Sequence, residues 1–272
     1  MQDYFSFIFE AVNKILNERA SFFEQEGLTL FRHIAVILVS LFGVQSALSA
    51  AEGGIGFSWP RFMALFQELL LVYTMLTFYT VPIPVIGVSV THLVLDQVQY
   101  LTAQLDQGMI QEVMETLNSL MDNLPYPTIF ELVTFVRWLI LFIAILAAQA
   151  ATVAVISYGY VVTAVLILVG PLFIPFKVLP QMDSYFWGWF RSFTQYASYQ
   201  LVASLYVFVF GHFLVEFIGA KNAPMSSGDL AVLFPTLVIV LITFVLGIIK
   251  IPVFVYSLFS GRSGDYVFPR WW

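Results

Sequence analysis

The residues that could do chemistry in this sequence are the few ionisable side chains that interrupt its long apolar stretches. An ionisable group within a membrane span is costly, so it marks a candidate functional site. His212 and Glu216 are four residues apart, a spacing that lets them pair on one helix face. Because both lie near the end of an apolar stretch, we expect an interfacial pair rather than a proton relay. The polar residues predicted to be membrane-embedded are Glu68, Arg137, His212 and Glu216.

The sequence lacks the patterns on which enzymes and metal sites are commonly built. It has no cysteine, which excludes disulfides, thiolate catalysis and cysteine-ligated metals. The three histidines, His33, His92 and His212, fall in three different segments, so a metal site made from them is not expected. No HExxH, GxSxG or phosphate-binding loop occurs. We therefore predict no enzymatic activity, no catalytic or metal site and no cofactor.

The composition is that of an integral membrane protein. Of the 272 residues, 60% are hydrophobic and only 10% are charged, and the mean hydropathy of +0.88 lies well outside the range of soluble domains. A helix satisfies its own backbone hydrogen bonds in lipid. We predict an all-α fold, a polytopic bundle of about five transmembrane helices.

Five regions meet the length of roughly 20 mostly apolar residues that a crossing requires. They are 33–51, 62–82, 129–169, 188–217 and 230–256. The third is anomalous, because no charged residue occurs from Trp138 to Phe176, which is too long for a simple crossing. It is either one long tilted helix or a hairpin that turns at Ser157–Tyr160.

Loop charge orients the chain, because cytoplasmic loops are enriched in Lys and Arg. The segment from Ile83 to Thr128 has five acidic residues and no basic one, so we place it in the periplasm. With a single third helix, the N-terminus is then periplasmic and the C-terminus cytoplasmic. The hairpin would move the basic residues Lys177 and Arg191 outside, so five crossings are favoured over six.

The same patterns divide the chain into five parts. Residues 1–28 form an amphipathic segment suited to a membrane surface or a partner, and 29–82 hold the first two transmembrane helices. Residues 83–128 form a periplasmic helical loop. Residues 129–256 hold the C-terminal transmembrane helices, including a broken segment at 170–180, and 257–272 form a cytoplasmic tail.

Two short amphipathic helices are predicted within the periplasmic loop. Apolar residues recur every three or four positions on both sides of Gly108, which makes seam-like stripes. These stripes either cover the protein's own helix ends or pack against another copy or another subunit. The residues assigned to oligomer or stalk docking are Val94, Val98, Leu101, Leu105, Ile110, Val113, Leu117 and Leu120.

Small residues form two ridges within the predicted spans. Helices approach closely in lipid where glycine and alanine line the contact, so tight packing is expected, within one protomer or between protomers. The first ridge is Gly43, Ala47 and Ala51, and the second is Ala147, Ala150, Ala151 and Ala154.

The block GPLFIPFKVLP closes the third apolar region. Proline removes a backbone donor and clashes with the preceding helical turn, so one continuous spanning helix through this block is not expected. We predict a broken-helix segment, irregular or re-entrant, buried against neighbours because freed backbone groups need partners. Its residues are Gly170, Pro171, Pro175 and Pro180. Trp187 and Trp189 then mark the interface where the next span begins.

These features together resemble one family: a basic-poor loop after the second span, a very long third region, the proline block, and the segment YFWGWFRSFTQYASYQLVASL. The chain is similar to the TrbL-type polytopic inner-membrane channel subunit of type IV secretion and conjugation systems. The resemblance covers about residues 30–256. The positions that carry it are Gly170, Pro171, Phe173, Pro175, Trp187, Gly188, Trp189, Arg191, Tyr196 and Ala197.

The resemblance implies a non-enzymatic subunit of the bacterial inner membrane that forms the base of a stalk or pilus and the translocation path. It implies a homo-oligomeric ring of about five copies. The implied partners are a minor pilin or stalk subunit, other inner-membrane secretion subunits, ATPases and the phospholipid membrane, and a bound phospholipid is compatible with it. Nucleic acid is implied only as translocated cargo.

A secondary transporter or channel is the main alternative. Gly170–Pro175 would then be a broken helix whose free backbone groups line a substrate site. A cavity lined by Glu68, Arg137 and that segment would support this alternative, whereas the lack of an inverted repeat in the sequence counts against it. An intramembrane enzyme comes third, because no convergent nucleophile, base or metal set is present.

Overall fold

The computed structural model of the chain describes residues 2–54, 56–84, 86–93, 95, 97, 100–101, 108–125, 132–219 and 226–260. These residues contain six α-helices, one 3₁₀-helix and no strand, which confirms the predicted all-α membrane bundle. The helices are α1 (Gln2–Ala51), α2 (Trp59–Thr77), α3 (Met109–Asp122), α4 (Leu132–Phe173), the 3₁₀-helix (Ile174–Val178), α5 (Asp183–Gly219) and α6 (Ser227–Ser260).

Helix α1 is continuous over 50 residues, about 75 Å at a rise of about 1.5 Å per residue. No proline occurs between residues 2 and 51 to force a kink. The predicted amphipathic segment and the first predicted span therefore belong to one helix, which has no break at residue 28.

Within the described residues, four helical segments are long and apolar enough to cross a membrane, one fewer than the five predicted crossings. The helix at the predicted second span, α2, has 19 residues but is not among them. Arg61, Gln67 and Glu68 are exposed on this helix and lower its hydropathy. The four segments are Glu10–Ala51, Leu132–Val178, Asp183–Ile218 and Gly228–Phe259.

The long third region is a single helix. Helix α4 passes through Ser157–Tyr160 without a turn, so the hairpin alternative is wrong. Its last turn contains Pro171, and Pro175 lies in the first turn of the 3₁₀-helix that follows, where a missing N–H costs no helical hydrogen bond. The predicted proline-broken segment is therefore present, although the helix continues three residues beyond Gly170.

The chain folds into two compact units. Unit 1 comprises Met1–Gln97 and Val161–Tyr196, and unit 2 comprises Val98–Tyr160 and Ala197–Trp272. The core of unit 1 is built from α1, α2, the end of α4, the 3₁₀-helix and the start of α5. Its buried residues are Phe31, Val72, Leu76, Tyr79, Ile167, Ile174, Val178, Phe186, Trp189 and Phe193.

In unit 2, helix α3 covers other helices of its own chain. Its residues Val113, Leu117 and Leu120 are buried, and a Cβ atom at Gly211 of α5 would lie 2.5 Å from Cγ2 of Val113. The side-chain amide of Gln149 on α4 donates a hydrogen bond of 2.9 Å to the Asn118 side chain of α3. The apolar stripe of α3 therefore packs against other helices of the same chain.

This packing changes the prediction of a docking surface. Val113, Leu117 and Leu120 were assigned to docking, but in the folded chain they have no exposed surface to offer a partner, and Ile110 is half-buried. Leu101 is 44% exposed. The remaining assigned residues, Val94, Val98 and Leu105, lie outside the described residues.

Candidate functional site

The centre of unit 1 is the point where Pro171 interrupts the hydrogen bonds of α4. In a regular helix the N–H of residue 171 would donate to the carbonyl of residue 167. Proline has no N–H, so the Ile167 carbonyl loses its helical donor. A buried carbonyl left in this state costs free energy, and it needs a donor from elsewhere in the molecule.

Two aromatic side chains from other elements supply donors to this part of α4. The hydroxyl of Tyr79, which follows α2, donates a hydrogen bond of 2.7 Å to the carbonyl of Ile167. The indole Nε1 of Trp189 on α5 donates one of 2.8 Å to the carbonyl of Leu166. The Tyr79 bond satisfies the carbonyl that Pro171 frees, and the Trp189 bond adds to the helical bond that Leu166 keeps.

Gly170 makes room for both rings. A Cβ atom at this position would clash with the hydroxyl oxygen of Tyr79 and would lie 2.5 Å from Cζ2 of Trp189. Tyr79 and Trp189 are almost completely buried, so neither ring can move aside into solvent. Glycine here is therefore required by close approach of the two side chains to the helix backbone.

A second glycine brings α1 against the same proline. A Cβ atom at Gly27 would clash with the carbonyl oxygen of Pro171 and would lie 2.8 Å from its carbonyl carbon. Backbone atoms cannot swing away as a side chain can, so the close crossing of α1 over the end of α4 depends on glycine. We call Gly27, Tyr79, Gly170, Pro171 and Trp189 the proline site.

The residues after α2 hold Tyr79 in place. The chain turns back on itself, so that the N–H groups of Val90 and Thr91 donate to the carbonyls of Phe78 and Tyr79 at 3.0 and 3.2 Å. The hydroxyl of Thr91 donates a further bond of 3.0 Å to the Tyr79 carbonyl. The next residue, Thr80, donates its hydroxyl to the carboxylate of Glu24 on α1.

The phenol of Tyr79 remains a donor. A tyrosine phenol keeps its proton at physiological pH, so the hydroxyl stays a donor to the Ile167 carbonyl.

The turn after the 3₁₀-helix is closed by a cation. The ammonium of Lys177 lies 4.0 Å from the carboxylate of Asp183 at the start of α5, and 5.7 Å from the centre of the Trp187 ring. Asp183 is in the first turn of α5, where the helix dipole favours an acidic residue. Lys177 thus joins the proline segment to the helix that carries Trp189.

The predicted embedded polar residues lie on three of the helices. Glu68 is exposed on α2, and Arg137 is half-buried on α4. His212 and Glu216 are both exposed on α5, and within the described residues they form no ion pair. No group of three or more His, Asp or Glu residues that could hold a metal ion occurs in the described part of the chain.

The sequence predicted part of the proline site and missed the rest. Gly170, Pro171 and Trp189 were singled out by their block, and the structure brings them together. Gly27 and Tyr79 were not predicted, because each lies far along the chain from residue 171. The only local signal was the loss of one helical donor at Pro171. It shows that the Ile167 carbonyl needs another donor but does not identify which residue supplies it.

Most members of the two ridges of small residues are exposed, and Ala151 is half-buried. A Cβ atom at Gly43 would meet nothing within 4 Å, and Ala47 and Ala51 are exposed. On α4, Ala147, Ala150 and Ala154 are exposed as well. Within the described residues, most of the surface of these ridges is therefore not covered by other helices.

A family model described as "TrbL/VirB6 plasmid conjugal transfer protein" matches residues 70–251. This range is well over half of the chain, and it contains Tyr79, Gly170, Pro171 and Trp189 of the proline site. A search of curated proteins gave no match.

Proposed function

The chain belongs to the TrbL/VirB6 plasmid conjugal transfer family, and we propose that it forms the inner-membrane base of the secretion stalk or pilus. As a family member it is a multi-pass membrane component of a multi-subunit conjugal transfer, or type IV secretion, machine. The proposed role is structural, with a share in the translocation path, and DNA is a possible cargo. The family match over most of the helices carries this proposal.

The shape of the long helices supports a structural role. The segment Leu132–Val178 has 47 residues, about 70 Å if helical at about 1.5 Å per residue, whereas a bilayer with its headgroups is about 45 Å thick. Such a helix extends beyond the membrane or tilts strongly within it. Its end is held at the proline site by hydrogen bonds and close backbone contact, which suits a rigid scaffold.

For the oligomer we propose a closed ring, in which the exposed alanine ridge of α4 packs against another copy. The test is the mass of the protein in mild detergent, alone and with the products of neighbouring genes. We expect a multiple of 30.8 kDa, about five copies. Ala150→Trp should break the assembly and lower DNA transfer in a conjugation assay, whereas Ala150→Ser, which keeps the position small, should leave both unchanged.

A stable monomer with a saturable small-molecule site would contradict this proposal and favour the transporter alternative. The proline site already weakens that alternative, because the carbonyl freed at Ile167 is bonded to Tyr79 rather than free for a substrate.

For the partners we propose that the loop around Leu101 meets a minor pilin or stalk subunit, and that the cytoplasmic face meets ATPases and other inner-membrane subunits. Leu101→Asp should reduce copurification of the stalk subunit. Ser119→Asp adds the same charge at an exposed position of α3 and serves as the control. Equal loss in both variants would indicate a general charge effect and would contradict docking through Leu101.

For the orientation we propose a periplasmic N-terminus and a cytoplasmic C-terminus, as the loop charges favour. This requires an odd number of crossings, so α2 must cross together with the four apolar segments. The chain has no native cysteine, so single cysteines at Glu52 and Ser119, on the two sides of α2, can be labelled from outside intact cells. Labels that react from the same side would show that α2 does not cross.

A further inference from the structure

Unit 2 contains a cleft of about 600 Å³ between α5 and α6, a size typical of ligand pockets. One wall consists of Val202, Leu205 and Val209 from α5, at helical spacing. The other wall consists of residues 247, 250, 251, 254 and 258 of α6, which also lie on one helix face. Both walls belong to segments apolar enough to span a membrane.

The walls of the cleft are partly exposed. Val209 is 67% exposed and Leu258 is 56% exposed, so the walls are not covered by other parts of the described chain. Exposed apolar residues on membrane-spanning helices face hydrocarbon rather than water. The occupant of the cleft therefore comes from the bilayer.

The cleft has an apolar wall interrupted by one charge. Among the described residues that line it, Lys250 is the only ionisable one besides the phenol of Tyr206. That phenol donates to the Phe244 carbonyl at 3.2 Å and is thus already bonded within the protein. Lys250 has no ion pair within the described residues, although a cation within a membrane span requires a counter-charge or access to the interface.

Lys250 lies toward the C-terminal end of its apolar segment. It lies nine residues before Phe259, the end of its apolar segment, about 14 Å along the helix axis at about 1.5 Å per residue. A flexible lysine stem lies along apolar surface while the ammonium reaches the interface. The ammonium can then meet a phosphate while the apolar walls hold an acyl chain.

We propose that this cleft binds an anionic phospholipid, with one acyl chain between α5 and α6 and the phosphate paired with Lys250. The apolar walls select a lipid from the bilayer, and the lone cation selects a lipid with net negative charge over a zwitterionic one. This site goes beyond the proposed role in secretion and does not depend on it.

The test is native mass spectrometry of the full chain in mild detergent, titrated with phosphatidylglycerol or with phosphatidylcholine of the same acyl chains. We expect wild type to prefer phosphatidylglycerol about five- to tenfold, since one Lys near anionic lipid contributes about 1 kcal/mol. Lys250→Gln should remove the preference, and Lys250→Arg should keep it. Arg191→Gln, which removes an exposed charge on α5 outside the cleft, should leave it unchanged.

A second variant tests the cleft by filling it. Leu205→Trp should lower the binding of both lipids, because the new ring occupies the space of the acyl chain. Equal binding of the two lipids by wild type would overturn the proposal, even if Lys250→Gln does not fold. Unchanged lipid binding in Leu205→Trp, together with loss of an oligomer, would show that the cleft takes a helix of another copy and would overturn it too.

Discussion

Two tyrosines in this protein make the same contact with a helix, one in each unit. Tyr79 donates its hydroxyl to the Ile167 carbonyl, and Tyr206 donates its hydroxyl to the Phe244 carbonyl. In both cases the accepting carbonyl lies three residues before a glycine, Gly170 in α4 and Gly247 in α6. In both cases the phenol oxygen occupies the place that a Cβ atom of that glycine would take.

The two contacts differ in whether the accepting carbonyl also has a hydrogen-bond donor within its own helix. At Ile167 the helical donor is missing because residue 171 is proline. At Phe244 the helical donor is the N–H of Ile248, and α6 is unbroken there, with its second proline only at residue 252. Tyr79 is also fully buried, whereas Tyr206 is half-buried on the wall of the cleft between α5 and α6. The tyrosine hydrogen bond is therefore required to satisfy the carbonyl in unit 1, whereas in unit 2 it adds to a helical hydrogen bond.

The largest expected effect is at Gly170. Gly170→Ala should destabilise the protein by about 3 kcal/mol, because the new methyl group meets two buried aromatic side chains that have no space to move. Thermal unfolding in detergent should show an apparent Tm lower by about 6–12 °C. Gly188→Ala is the matched control, since a Cβ atom there meets nothing within 4 Å and alanine is the better helix former. Equal losses in both variants would contradict the close-approach argument.

Removal of the two hydroxyls tests the comparison directly. Tyr79→Phe leaves the Ile167 carbonyl buried without a donor, a cost of about 1–3 kcal/mol. Tyr206→Phe leaves the Phe244 carbonyl with its helical donor and should cost well under about 1 kcal/mol. The measurement is the apparent Tm of each variant under the same detergent conditions. A Tyr206→Phe loss as large as that of Tyr79→Phe would remove the distinction between the two contacts.

A double-mutant cycle assigns the cost at Ile167 to the missing donor. Pro171→Ala returns an N–H that can reach the Ile167 carbonyl, so Tyr79→Phe should be less destabilising in that background. We expect a coupling of about 1 kcal/mol between the two positions. Additive effects would mean that the tyrosine acts only through packing. Pro175→Ala, which restores no donor to Ile167, is the control.

The smallest expected effect is at Gly247. Gly247→Ala also places a methyl group at a phenol oxygen, but Tyr206 is half-buried beside an open cleft and can swing away. We expect a loss of about 1 kcal/mol or less, measured as the shift in apparent Tm. A loss as large as that of Gly170→Ala would show that unit 2 is as tightly constrained as unit 1.

Much of the membrane architecture could be predicted from periodicity and hydropathy. The single long third helix followed from loop charge, and the break at residues 170–180 followed from the chemistry of proline. The second span was predicted from length, but Arg61, Gln67 and Glu68 make α2 too polar to count with the others. The apolar stripe at Val113, Leu117 and Leu120 was predicted from its spacing, and these residues are buried in the structure. The surface that this stripe covers includes Gly211. Gly211 is nearly one hundred residues away in the chain, so the local pattern could not identify it.

The sequence alone determined that this is a helical membrane protein, where α4 loses a hydrogen bond, and which family the pattern resembles. These properties depend on residue types over short stretches, such as hydropathy over one span or the absent N–H of one proline. Only the tertiary structure decided that Tyr79 replaces that donor, that Gly27 lets α1 cross over Pro171, and that Lys250 faces a cleft. Each of these features depends on residues that are distant in the chain. Local conformational preferences do not determine which distant residues come into contact.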